Sequence, residues 1–180
     1  MSLTRPFRSL LLLALTAAPG LSACSSSEGS GLQPAPVSSD GILREGDASE
    51  AQLSRFLRDK ARDWAWAGGQ FDAPDDAATL AADPPPTFSW HADPADFAQG
   101  GAADDVVMTH LLLFSTASNP SLLELFTTLS EYTPQAADWQ KLVDAGEPIT
   151  VGLTTGTFVG SDLPKDGGPF VGQTLTFAIE

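Results

Sequence analysis

The sequence predicts a mainly β body with one amphipathic helix ahead of it and a short helix inserted among the strands. Three observations carry this expectation. Ile149, Val151, Leu153 and Thr155 alternate with their neighbours, as do Leu175, Phe177 and Ile179 with Thr174, Thr176 and Ala178, which is the period of two that a half-buried strand requires. Turn-forming groups, Asn119-Pro120, Thr133-Pro134 and Asp166-Gly167-Gly168-Pro169, cut the second half of the chain into units of strand length. By contrast, Leu53, Phe56, Leu57, Ala61 and Trp64 recur at three- and four-residue spacing, which gathers them on one helical face.

That helix is expected over Ser49 to Trp64. Ser49 is suited to cap it, with Gln52 at the third helical position completing a capping box. Its other face carries Arg55, Arg58, Asp59, Lys60 and Arg62; this reads as a solvated face, or as one that attracts the acidic body or an outside anion. Asp83-Pro84-Pro85-Pro86 forces extended backbone and marks the edge of the main domain, so residues 47–86 read as helix and connection and 87–180 as the β body. Thr87 to Trp90 is the first expected strand, with Phe88 and Trp90 on one side. An acidic connection follows from Asp93 to Asp105. Val106 to Thr116 is the second strand, and its continuous Leu111-Leu112-Leu113 implies burial on both faces there.

Leu122 to Tyr132 fits either period; Phe126-Thr127-Thr128 and the bracketing turns favour strand. Thr133 is then suited to cap a short helix with Pro134 at its first position, Ala137, Trp139 and Leu142 facing inward and Gly146 ending it. About five strands with one apolar face must cover that face, and a second sheet is the usual solution, giving a β-sandwich.

The amino end has a different character. Arg5 and Arg8 precede a charge-free apolar stretch, Leu10 to Ala18, the layout of an export signal. At about nine residues it is far shorter than the roughly 20 a spanning helix needs. Pro19-Gly20 breaks it, and Leu21-Ser22-Ala23-Cys24 follows. This tetrad resembles the lipobox of bacterial lipoproteins. The resemblance implies cleavage between Ala23 and Cys24, removal of 1–23, a diacylglyceryl thioether on the Cys24 sulfur and acylation of the new amino group. With Ser25 rather than an acid after the cysteine, it also implies the outer membrane where the organism has one. Cys24 is the only cysteine, and lipidation would consume its thiol. Residues 24–46, rich in Ser, Gly and Pro, read as a lipidated cysteine and flexible tether.

The β region is similar to immunoglobulin and fibronectin type III-like sandwich modules of bacterial surface proteins. The similarity lies in the Pro86-Thr87-Phe88-Ser89-Trp90 opening, the helical Trp139 to Gly146 crossover, Ile149-Thr150-Val151 and the alternating last strand. It implies an immunoglobulin-like sandwich used for spacing, adhesion, sugar binding or partner recognition. The two core cysteines of immunoglobulin domains are lacking, so no disulfide-centred role transfers.

Composition narrows function. The formal charge is −14, and after Arg62 only Lys141 and Lys165 are basic against 17 acids. Such a surface suits neither nucleic acid, whose binding depends on Lys and Arg displacing condensed cations, nor an anionic bilayer. His91 and His110 stand apart, the first expected to be exposed and the second to lie in or beside the core, with no His-Glu-x-x-His arrangement for zinc. No Gly-x-Ser-x-Gly elbow or phosphate loop is present. Asp93, Asp96, Asp104 and Asp105 around one glycine-containing loop, and Asp162 with Asp166 around another, are weak calcium candidates. No other cofactor is expected.

The leading expectation is a non-catalytic, lipid-anchored envelope protein that presents an acidic sandwich for protein interaction or structural spacing. Its partners would be the membrane, through acylated Cys24, and an envelope protein or glycan. The alternatives are a carbohydrate-binding module that stacks sugars on Trp64, Trp66, Trp90 or Trp139, and a small hydrolase using its acidic loops.

Overall fold

A computed structural model describes residues 41–63, 68–92 and 106–180. The signal segment, Ala23, Cys24, Trp64, Trp66, Asp93, Asp96, Asp104 and Asp105 lie outside the described residues.

Among the described residues the chain forms β1 (Leu43–Glu45), α1 (Glu50–Arg58), β2 (Arg62–Asp63), β3 (Gln70–Ala73), β4 (Thr79–Leu80), β5 (Phe88–His91), β6 (Val106–Ser115), β7 (Leu123–Thr127), β8 (Glu131–Tyr132), α2 (Ala136–Ala145), β9 (Ile149–Val159) and β10 (Phe170–Ile179). Two sheets result. The larger runs β1-β7-β6-β9-β10-β2, with β4 also on β10; the smaller runs β3-β5-β8. The architecture is therefore mainly β and sandwich-like, with two short helices.

The centre of the larger sheet is antiparallel. β6 and β9 pair from Val106↔Val159 to Ser115↔Thr150 without a register shift. Phe88 and Trp90 of β5 and Tyr132 of β8 pack with Leu112, Phe114, Leu123, Leu125, Ile149, Val151, Leu153, Leu175 and Phe177 of the larger sheet, so the main core lies between the sheets. Trp139 and Leu142 of α2 join it. Each such Leu or Phe, fully buried, contributes roughly 1.5–3 kcal/mol. The opposite face of the larger sheet buries a second cluster, Leu53 and Phe56 of α1 against Phe126, Phe158, Ile42 and Leu163. Leu111 packs on that side while Leu112 enters the main core, so both faces of β6 are covered at that point as expected, whereas Leu113 is 37% exposed and belongs to neither core.

α1 begins as the sequence indicates. The Ser49 side chain accepts from the Gln52 amide at 3.2 Å, and Gln52 Oε1 accepts from the Ser49 amide at 3.0 Å. It ends at Arg58, not at Trp64, because the chain must turn out to place Arg62 and Asp63 beside Phe170 and Val171 of β10. Gly156 of β9 allows the helix to seat: a Cβ there would stand 2.7 Å from the Phe56 ring. At α2 the expected start also shifts. Gln135, not Thr133, is the N-cap residue; the Thr133 hydroxyl is bonded at 2.7 Å to Thr87, and Pro134 is buried ahead of the helix. Ala137 is exposed, whereas Trp139 and Leu142 face inward and Gly146 closes the helix in the left-handed conformation. Leu122 to Tyr132 is extended but divided, since residues 128–130 carry the chain from the larger sheet to the smaller.

Segments read as tether and connection also enter the sheets. β1 lies parallel to β7, and the outer edge of β10 is covered by Arg62–Asp63 at one end and Thr79–Leu80 at the other. Between them the Gln173 amide donates to the Gly69 carbonyl and the Thr176 amide to Asp76. A long strand edge is thereby closed against pairing with other chains.

Candidate functional site

The indoles proposed to stack on sugar are core residues where they are described. Trp90 is 2% exposed, edge-on to Phe71 and to His110, with ring centroids 6.5 and 5.6 Å away. Trp139 is equally buried, stacked on Phe177, and its Nε1 donates to the Ala82 carbonyl at 2.8 Å. Neither offers a face to a ligand. This corrects the stacking expectation for these two residues: their spacing beside Phe88 and Leu142 reflects packing into the inter-sheet core.

Asp162 and Asp166 are exposed in the loop between β9 and β10. The Asp162 backbone closes a tight turn with Val159, through bonds of 2.9 and 3.1 Å. Among the described residues no group of three or more His, Cys, Asp or Glu converges as a metal site. His91 is exposed and meets Asp72 at 2.7 Å.

His110 is buried on β6 as expected, and hydrogen bonds fix its chemistry. The Thr155 hydroxyl donates to the Gly68 carbonyl at 2.7 Å, an oxygen that can only accept. The single hydroxyl proton is thus committed, so the 3.0 Å contact between Thr155 and His110 Nδ1 requires the imidazole to be the donor. Burial lowers its pKa to about 4, which keeps the ring neutral at neutral pH. The pair has the reverse polarity of an activated nucleophile, in which the imidazole accepts the hydroxyl proton. Its role is to satisfy polar groups at the end of the core.

Tyr132 closes the small sheet. Burial, followed by the charges of Asp138 and Glu45, raises its pKa well above the ordinary value, so it remains a neutral phenol.

The other distinctive assembly is a basic cleft. Arg55 from the last turn of α1, Asp59 and Lys60 just after it and Arg62 from β2 face Leu163 and Lys165 of the β9–β10 loop across an open volume of about 400 Å³. Arg62 is built into its floor, where Nη2 donates to the Lys165 and Gly168 carbonyls at 2.7 and 3.2 Å and the guanidinium lies 4.7 Å over the Phe170 ring. Cation–π contact and carbonyl bonds hold its charge in place. The Arg55 Nε is buried without a hydrogen-bond partner. The sequence exposes the α1 half of this cleft as a run of basic residues; Lys165, more than a hundred residues away, is brought in only by the fold.

No helix among the described residues is long and apolar enough to cross a membrane. No protein-family model, curated protein or solved structure matches this chain.

Proposed function

We propose that the chain is a lipid-anchored protein of the bacterial envelope whose body serves protein contact or spacing rather than catalysis. The observation that carries this reading is the Leu21-Ser22-Ala23-Cys24 tetrad behind a basic and then apolar segment, with no other cysteine in the chain. Three further features support it. The one buried histidine is a neutral donor held by a threonine, Trp90 and Trp139 are used for packing, and the long edge of β10 is closed. The four antiparallel strands β7, β6, β9 and β10 packed on three strands are the basis for the immunoglobulin-like relation. In this reading the short parallel strands β1, β2 and β4 are additions to that core.

The test is cross-linking in native envelopes followed by capture of this chain, beside a Cys24→Ala variant. The wild type is expected in the membrane fraction with one specific envelope protein, and the variant in the soluble fraction without it. Equal membrane attachment of the variant, or recovery of lipid and abundant background alone, contradicts the reading.

A further inference from the structure

We propose that the cleft between the end of α1 and the β9–β10 loop binds a phosphate group, borne by a small soluble compound or by a phospholipid headgroup. The inference goes beyond anchoring and does not rest on it.

From Cys24 onward the chain has seven Lys and Arg residues. Arg44 and Lys141, outside the cleft region, are each paired with a carboxylate, Glu50 at 3.1 Å and Asp138 at 2.7 Å. The other five are Arg55, Arg58, Lys60, Arg62 and Lys165. Four of these line one cleft and the fifth lies on the same helix, and none has an ion-pair partner among the described residues. In a protein with 23 acids, gathering cations where only Asp59 shares the lining keeps positive charge unneutralised in one place.

Favourable interaction with the carboxyl end of the helix accounts for Arg55 and Arg58. It does not account for Lys60, beyond the helix, or for Lys165, which arrives from the opposite wall. Arg55 lines the cleft with no carboxylate paired to it among the described residues, so its charge remains available to an anion there. Arg62 is already immobilised by two carbonyls and the Phe170 ring, so part of the site is ordered before a ligand arrives. The open volume suits a small ligand group. A tetrahedral oxyanion presents acceptors toward both walls at once, whereas a planar carboxylate suits a single guanidinium fork.

The full chain carrying Cys24→Ala, which cannot be acylated, is titrated calorimetrically with pyrophosphate at ionic strength fixed by potassium chloride, and separately sedimented with phosphatidylglycerol or phosphatidylcholine vesicles. Saturable binding in either arm is expected to weaken about tenfold or more in Lys60→Gln/Lys165→Gln and in Arg55→Gln, and to be unchanged in Lys141→Gln, which removes one positive charge outside the cleft just as Arg55→Gln removes one within it. Saturation by pyrophosphate points to a soluble compound; binding confined to phosphatidylglycerol, with the same dependence on variants, points to a headgroup. The proposal is overturned by absence of saturable binding in both arms, by equal loss in Lys141→Gln, or by citrate binding as tightly as pyrophosphate. Lys60 and Lys165 are exposed, so their double variant retains the fold and keeps the result interpretable.

Discussion

His110 faces Thr127 on one neighbouring strand and Thr155 on the other, and its burial has a direct consequence for stability in acid. Its folded-state pKa, about 4, lies below the ordinary 6.5, so on acidification the unfolded chain takes up the proton first. The contribution is complete above about pH 6.5 and is lost as pH falls toward 4, by about 3 kcal/mol for this group. In urea unfolding at pH 7 and pH 4.5, His110→Gln should therefore lose less stability between the two than the wild type. Equal losses would show that this imidazole is not the acid-sensitive group. That His110 belongs to the core was legible from its apolar neighbours. Its tautomer was not, because Thr155 and Gly68 meet it only through strand pairing and a loop from elsewhere in the chain.

At the scale of elements, the capping box of α1 joins sequence to packing. Gln52 completes the cap and also donates through Nε2 to the Gly160 carbonyl at 3.1 Å, tying the helix to the loop after β9. Ser49→Ala should cost about 1 kcal/mol, the usual worth of an N-cap. Gln52→Ala should cost more, by about a further 1 kcal/mol, because it also frees the bond to Gly160. Chemical denaturation orders the two variants, and an equal cost would remove the tie to the loop from the account. Long elements were readable from part of their length: alternation over residues 149–155 revealed β9 and over 174–179 revealed β10, while β-branched and apolar residues marked β6. β1, β2 and β4 were not, since two or three residues carry no period and their partners lie far along the chain. The same long-range pairing ended α1 six residues before its apolar pattern did.

For the whole molecule, charge is organised more than its total reveals. The formal charge is −14, yet five of the seven cations from Cys24 onward lie on α1 or line the cleft beside it. Sequence reading found four of them in one run and read that run as a solvated face or as one attracting the acidic body or an outside anion; only the β9–β10 loop, by placing Lys165 opposite, makes a cleft of it. The sandwich-like layering was foreseeable from a half-apolar set of strands that needed covering, whereas the second core beneath α1 required knowing which face the helix would take. Trp139 was read as facing inward, and it is; sugar stacking on it and on Trp90 stood as an alternative because an indole in a strand or helix looks alike in sequence whether it faces solvent or the core.

Attachment through Cys24 is the claim on which the envelope reading depends, and intact mass spectrometry of the protein extracted from its native cells tests it most directly. A chain beginning at Cys24, heavier than its sequence by a diacylglyceryl group and an amino-terminal acyl chain, is predicted. A chain that begins upstream of Cys24, or begins there with a free thiol, would contradict it.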